Sequence, residues 1–194
     1  MRGTTQPLST LAHTLAQGAT ISRYRSPTGA VRRVVNIGDL QDLETRGALE
    51  SEVLSDGSYL ANALEAGDLA VATRGTILKA SVVSSEHAGA VAGQNLAVLK
   101  PKRDLIHPVY LAGLLRSAHL AGEFEKRSMR STTIKLITLK QLGDLPIPCP
   151  SLEEQETLAR LFLEIETLDK LAQRSVDARR RLSEAAIGTL FGGK

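Results

Sequence analysis

The sequence predicts a mixed α/β protein, with a basic globular domain over residues 1–150 that gives way to one long helix over 151–191. Three observations carry that expectation. Short apolar runs bounded by glycine turns recur between residues 34 and 99, at the length of strands. Prolines at 146, 148 and 150 remove backbone donors and push the residues before them into extended conformations, so no helix passes through this strap. Directly after it, SLEE at 151–154 has the form of a capping box: the Ser151 hydroxyl can accept from the amide of Glu154 while Glu154 reaches back.

Taken in order, Leu8, Leu11 and Leu15 stand at helical spacing before Gly18, which predicts a short N-terminal helix. TISRYRSPTGAVRR at 20–33 follows as a turn-rich stretch holding Arg23, Arg25, Arg32 and Arg33. VVNI at 34–37 reads as a buried strand, and the polar residues 41–58 as a surface loop or small hairpin. From Leu64 the pattern turns to β, with strands expected at 69–73 and 77–83 around a turn at Arg74 and Gly75, and another across 89–99. Pro108 suits the first position of a helix that carries Leu111, Leu114, Leu115 and Ala118 on one face and fades at Gly122. Residues 136–142 lead into the strap as a short strand or turn.

The C-terminal helix carries Leu158, Leu161, Ile165, Leu168 and Ala172 at spacings of 3 and 4, continuing less cleanly through Val176, Arg179, Leu182, Ala186 and Leu190. A sustained stripe of that period is a coiled-coil seam. At 1.5 Å per residue the helix spans roughly 55–60 Å, more than a domain of this size can cover, which predicts a partner helix. The other reading folds the helix back along the sheet. Arg179 weakens the seam unless it meets an acidic or polar group on the partner.

Composition excludes several classes. No run of 18 apolar residues suggests a membrane span, and the first ten residues lack the apolar core of a signal peptide. The one cysteine, Cys149, cannot build an intrachain disulfide, and a cytoplasmic location is the simple expectation. Residues 1–150 hold 17 Lys and Arg against 13 Asp and Glu, while 151–194 hold 7 against 8. A basic globule on a near-neutral helix suits a polyanion reader with a protein-contacting arm. With no Trp, three Tyr and three Phe, platforms for stacking single-stranded bases are scarce, so a nucleic-acid partner would be duplex DNA. No Asn precedes a Pro, no glycine-rich phosphate loop is present, and the four His are scattered. Neither catalysis nor a cofactor or metal site is expected of this chain.

The order of motifs nevertheless resembles one family. NIGD at 36–39 and LEAGDLAVATRG at 64–75 are followed by HPVYL at 107–111, STTI at 131–134 and LGDLPIPCP at 142–150, the last leading into Glu154 and Gln155. Together they resemble the specificity (S) subunits of type I restriction-modification systems over nearly the whole chain. The resemblance implies a DNA target recognition domain over 1–150, with a twisted, mostly antiparallel sheet and short helices. It also implies a spacer and dimerisation helix over 151–191 that docks methyltransferase (M) subunits, with a restriction (R) subunit as a further partner. Family members carry two recognition domains and two spacers; this sequence has one of each and so resembles a half-subunit, expected to pair antiparallel with its own copy and to read an interrupted palindrome. Cys149 departs from the aliphatic residue usual there and reads as a small buried hydrophobe. The alternatives are the recognition subunit of another phage-defence methylation system, or a coiled-coil interaction module that never touches DNA.

The candidate DNA contacts are cations and hydroxyls on loops. Lys126, Arg127, Ser128, Arg130, Ser131, Thr132 and Thr133 form the densest group; Arg can read guanine bidentately while Lys and hydroxyls hold phosphates. The same segment could instead be a solvated helix end. Arg74 and Lys79 are placed by the glycine turn, or belong to a plain hairpin. Arg23 and Arg25 could reach a groove, or simply keep the surface soluble. Lys100, Lys102 and Arg103 are expected in a solvated connection. The seam residues Leu158, Leu161, Ile165, Leu168, Ala172, Val176 and Leu182 are the expected partner contacts.

Overall fold

The computed structural model describes residues 4–75, 78–127 and 135–191, with 124–127, 135 and 189–191 described by backbone alone. In chain order the elements are β1 (Thr4–Pro7), β2 (Ala12–Gln17), β3 (Arg25–Val35), β4 (Glu50–Leu54), β5 (Leu69–Ala72), β6 (Arg74–Gly75), β7 (Ala80–Val82), β8 (Val91–Ala92) and β9 (Leu96–Pro101). Then follow α1 (Pro108–Arg116), α2 (Ala118–Arg127), β10 (Lys135–Leu136), α3 (Leu139–Gly143), β11 (Pro146–Cys149) and α4 (Leu152–Phe191). Among the described residues no helix is long and apolar enough to cross a membrane.

The centre is a four-stranded antiparallel sheet in the order β2-β9-β5-β7. Strand periodicity divides β5 and β9 between two cores. Leu69, Val71, Ala97 and Leu99 face α1, whose Leu111, Ala112 and Leu115 are buried with them. Ala70, Ala72, Leu96 and Val98 face the other way, onto Val35, Leu40, Leu64 and Ala92. A second sheet joins β3 to β4 antiparallel and to β8 by a short parallel pair. The expected α/β domain with a mostly antiparallel sheet and a long C-terminal helix is what forms.

Several elements differ from the expectation, most of them through pairing across the sequence. The predicted N-terminal helix is one 3-10 turn, Leu8–Leu11, followed by β2. One turn buries Leu8 and Leu11, and β9 then supplies the hydrogen-bond partner that holds the next six residues extended. The turn-rich basic stretch is mostly β3, whose Pro27 and Gly29 fall in a register shift where Arg25 and Ala30 both oppose Leu54. Arg74 and Gly75, expected as a turn, form a two-residue strand paired with β10, and the strand expected over 77–83 is Ala80–Val82 among the described residues, with residue 77 lying outside them. The helix opened by Pro108 stops at Arg116, and α2 continues through Gly122.

The strap behaves as expected. β11 pairs antiparallel with β1, with Gln6 opposite Ile147 and Thr4 opposite Cys149. Alternate residues of a strand point their backbone groups to opposite sides, so the donor-less prolines cost the ladder nothing. The Pro148 carbonyl, facing away, accepts from the Tyr110 hydroxyl at 2.9 Å. Cys149 is half-buried against the main core, and burial pushes its thiol up. The capping box is complete: the Ser151 amide donates to Glu154 Oε2 at 3.1 Å and the Glu154 amide to Ser151 Oγ at 3.3 Å.

Candidate nucleic-acid interface

The strand register gathers residues far apart in sequence at one end of the central sheet. Gln17, last in β2, lies opposite Ala97, while Ala72, last in β5, lies opposite Leu96. Beyond them the Thr73 amide donates to Asn95 O at 2.9 Å, the Ala72 amide to Lys79 O at 2.8 Å, and the Ile137 amide to Thr73 O at 3.0 Å. Arg74, opposite Leu136, therefore shares this end with Lys79 and with β10. Arg23 follows Gln17 through the 3-10 turn Ile21–Arg23. Gly18 permits this route: a Cβ there would sit 2.1 Å from the Gly93 carbonyl oxygen, so any side chain would push the turn off β8. Arg130, Ser131, Thr132 and Thr133 lie outside the described residues, and Lys126 and Arg127 stand at the end of α2 by backbone alone.

The basic residues sort by what already holds them. Arg25 is paired with Glu52 across the hairpin, and its guanidinium draws that carboxyl below the usual range. Arg32 lies 3.5 Å from Asp56, and Arg33 donates to the carbonyls of Glu86 and Ala88. The cations expected to be solvated are tied down at the other end of the sheet. Lys100 bridges Glu65 at 2.5 Å and Asp68 at 3.7 Å, Lys102 donates to Thr10 O at 2.9 Å, and Arg103 donates to Ala66 O. The side chains of Arg23, Arg74 and Lys79 have no hydrogen bond or ion pair with the described residues; Arg23 and Arg74 are exposed and Lys79 half-buried. Cations without a partner among the described residues, at this end of the sheet, are placed to meet an anion. Among the described residues no group of three or more His, Cys, Asp and Glu could hold a metal ion.

α4 is fixed to the domain along its first half, and its described residues after Lys170 are mostly exposed. Gln155, 1% exposed, ties three segments together: its Oε1 accepts from the His107 amide at 2.8 Å, and its Nε2 donates to Leu105 O at 3.1 Å and Pro150 O at 2.9 Å. One turn on, Ala159 is buried, and Phe162 stacks on Tyr110 with ring centroids 6.4 Å apart. Gly113 makes room for that ring, since a Cβ there would meet it at 2.3 Å. Glu166 accepts from the Leu43 amide at 2.6 Å, and Lys170 pairs with Asp42 at 2.8 Å. Beyond Lys170, no side chain of α4 is buried among the described residues. The predicted seam lies on the other face. Leu158 packs partly on the core, but Leu161, Ile165 and Leu168 are 47%, 45% and 64% exposed, and Ala172, Val176 and Leu182 are exposed as well.

Sequence reading did not single out Gln155 beyond its place in a motif, nor Phe162, Glu166 or Gly113. A glycine inside a helix carrying an apolar face was the available signal, because it costs about 1 kcal/mol against alanine and commonly marks close packing.

Comparison with known proteins places these features in context. The family model for the type I restriction modification DNA specificity domain matches residues 29–175. A curated relative, the type I restriction enzyme MjaX specificity subunit of Methanocaldococcus jannaschii, is 30% identical over 60% of this chain and 30% of its own length. A solved structure described as the basis of complex assembly and conformational transition of the type I R-M system superposes with a TM-score of 0.73 at 17% identity, covering 98% of this chain and 50% of that one. The HsdS subunit from Thermoanaerobacter tengcongensis gives 0.63 at 20% identity, over 95% and 45% respectively. The chain thus spans about half the length of these solved proteins and less than a third of the curated relative.

Proposed function

The chain belongs to the type I restriction modification DNA specificity family, and on that premise we propose that it is the sequence-reading subunit of a type I restriction-modification complex. Residues 1–150 act as the target recognition domain, binding one half of a bipartite duplex site through the sheet end that carries Arg23, Arg74 and Lys79, with Lys126, Arg127 and Arg130 as further proposed contacts. α4 acts as the spacer that docks methyltransferase subunits. The subunit itself is non-catalytic: methylation with S-adenosylmethionine, and cleavage where a restriction subunit joins, belong to its partners in the cytoplasm.

The observation that carries this reading is α4. It offers a stripe of exposed Leu161, Ile165, Leu168, Val176 and Leu182, and no second long helix in the described chain covers it. An unpartnered seam of this length favours pairing with another helix, and the proposed partner is a second copy. Charge favours an antiparallel arrangement: residues 152–170 hold six carboxylates and two cations, whereas 171–191 hold four cations and two carboxylates. Reversing the helices brings the acidic half of one copy to the basic half of the other, which also gives Arg179 the acidic neighbours its place in the seam needs.

Reversing the charge of Arg127 and Arg130 to Glu tests the DNA half of the proposal. Duplex binding by the assembled complex is expected to fall at least tenfold while the dimer mass is unchanged. Unaltered affinity would instead favour an interaction module that does not read DNA.

A further inference from the structure

A polar cavity of about 270 Å³ lies between the 3-10 turn after β2 and the 3-10 turn Ser58–Asn62, lined by Gln17, Thr20, Arg23, Tyr24, Ser58 and Asn62 with Tyr59 and small apolar residues behind. We infer that this cavity is a phosphate-binding site, with Arg23 as its cation and Asn62 and the hydroxyls of Thr20, Tyr24 and Ser58 as its further donors. The inference deepens the DNA-reading proposal, since the cavity opens beside Gln17 at the sheet end where Arg74 and Lys79 stand.

The chemistry of the wall decides the ligand class. Of the four arginines between residues 23 and 33, three are engaged, by Glu52, by Asp56 and by two carbonyls. Arg23 alone of these has no side-chain partner among the described residues, and it lines the cavity. No carboxylate lines the cavity among the described residues. Tyr24 Oη and Ser58 Oγ lie 3.1 Å apart, so one of their protons is shared and the other can point into the cavity. Gln17 spends its amide donors on the carbonyls of Gln94 and Leu96, while the Asn62 amide has no side-chain partner among the described residues. Arginine offers five donors and no acceptor, and the hydroxyls and the Asn62 amide can turn their donors inward, so with no carboxylate in the wall this set can meet an anion that only accepts. A nucleobase also needs a ring to stack on. The two tyrosine rings here are edge-to-face against each other at 4.7 Å, each occupying the other. A phosphate group, tetrahedral and anionic, fits.

The phosphate could come from the DNA backbone or from a free phosphate-bearing molecule, and two measurements separate these. The first is titration of the full chain with inorganic phosphate, followed by NMR at the Arg23 Nε–H and the Asn62 side-chain amide. Both signals should shift and saturate, with no response to chloride at equal ionic strength and none in Arg23→Ala or Asn62→Asp. The second is the salt dependence of duplex binding by the assembled complex. If the cavity holds a backbone phosphate, Arg23→Ala lowers the slope of log K against log salt by about 0.9 and weakens specific and non-specific duplexes by the same factor. Lys102→Ala, at the opposite end of the sheet, leaves the slope as it was. A saturating phosphate response with an unchanged slope assigns the site to a free phosphate-bearing ligand. A saturating response in a wild-type complex that binds no duplex removes the DNA-reading proposal and leaves the site standing. No phosphate response together with an unchanged slope overturns the inference.

Discussion

Replacing Gln155 with alanine should loosen the joint that aims α4. The side chain is 1% exposed and makes three hydrogen bonds, at 2.8, 3.1 and 2.9 Å, to the His107 amide and the Leu105 and Pro150 carbonyls. Each such bond contributes about 0.5–1.5 kcal/mol net, and the partners left behind would be orphaned where little water reaches. Three bonds therefore amount to about 3 kcal/mol, a large share of the 5–15 kcal/mol that holds a typical domain. In a chain of this length about 1 kcal/mol moves the melting temperature by roughly 2–4 °C, so a fall of about 6–12 °C is expected. Thermal unfolding followed by far-UV circular dichroism at fixed protein concentration reads the shift, and concentration must be fixed because association adds to apparent stability. Hydrogen exchange at the His107 amide should also speed up by at least tenfold. A fall below 2 °C with that amide still protected would refute the assignment of Gln155 as the joint.

Other changes follow from the same geometry. Converting Leu161, Ile165 and Leu168 to Asp should leave the fold intact and give a monomer of 20.8 kDa by light scattering, because all three are exposed in the isolated chain; a dimer of unchanged mass would show that the seam lies elsewhere. Tyr110 is pushed up to about 12, first by burial and then by the nearby Cys149. Its folded value lies above the ordinary phenol value of about 10, so its contribution to stability is complete below pH 10 and is lost as pH rises through 12. Tyr110→Phe should cost about 1 kcal/mol at neutral pH by losing the Pro148 contact, and its melting temperature should fall less steeply than wild type between pH 10 and 12. Gly113→Ala should destabilise despite the better helix propensity, because the added Cβ would lie 2.3 Å from Phe162; adding Phe162→Leu should recover much of the loss, and simple additivity in the melts would count against the tight α1–α4 contact.

What was legible in the sequence was local. The proline strap, the Ser151–Glu154 box and the start of α4 depend on residues within a few positions of one another, and all three formed as read. The segment after Leu8 was misread as helix because Leu8, Leu11 and Leu15 satisfy helical spacing, while the strand they enter is dictated by β9, more than eighty residues away. The basic residues show the same division. Nothing near Arg25 announces that Glu52 will take its charge, and nothing near Arg23 announces the cavity closed by Ser58 and Asn62. The gathering of Arg23, Arg74 and Lys79 at one sheet end is a property of strand register, which single residues do not carry. The exposed stripe on α4 was legible because its period lies within one helix.

Base-modification sequencing of the host genome with and without the gene decides whether this chain selects the methylated sequence. Deletion is expected to abolish methylation at one motif, an interrupted palindrome, because two identical readers face opposite strands. Loss of an asymmetric interrupted motif would keep the specificity role and contradict the homodimer. An unchanged set of methylated motifs, with the methyltransferase subunits present, would contradict the account.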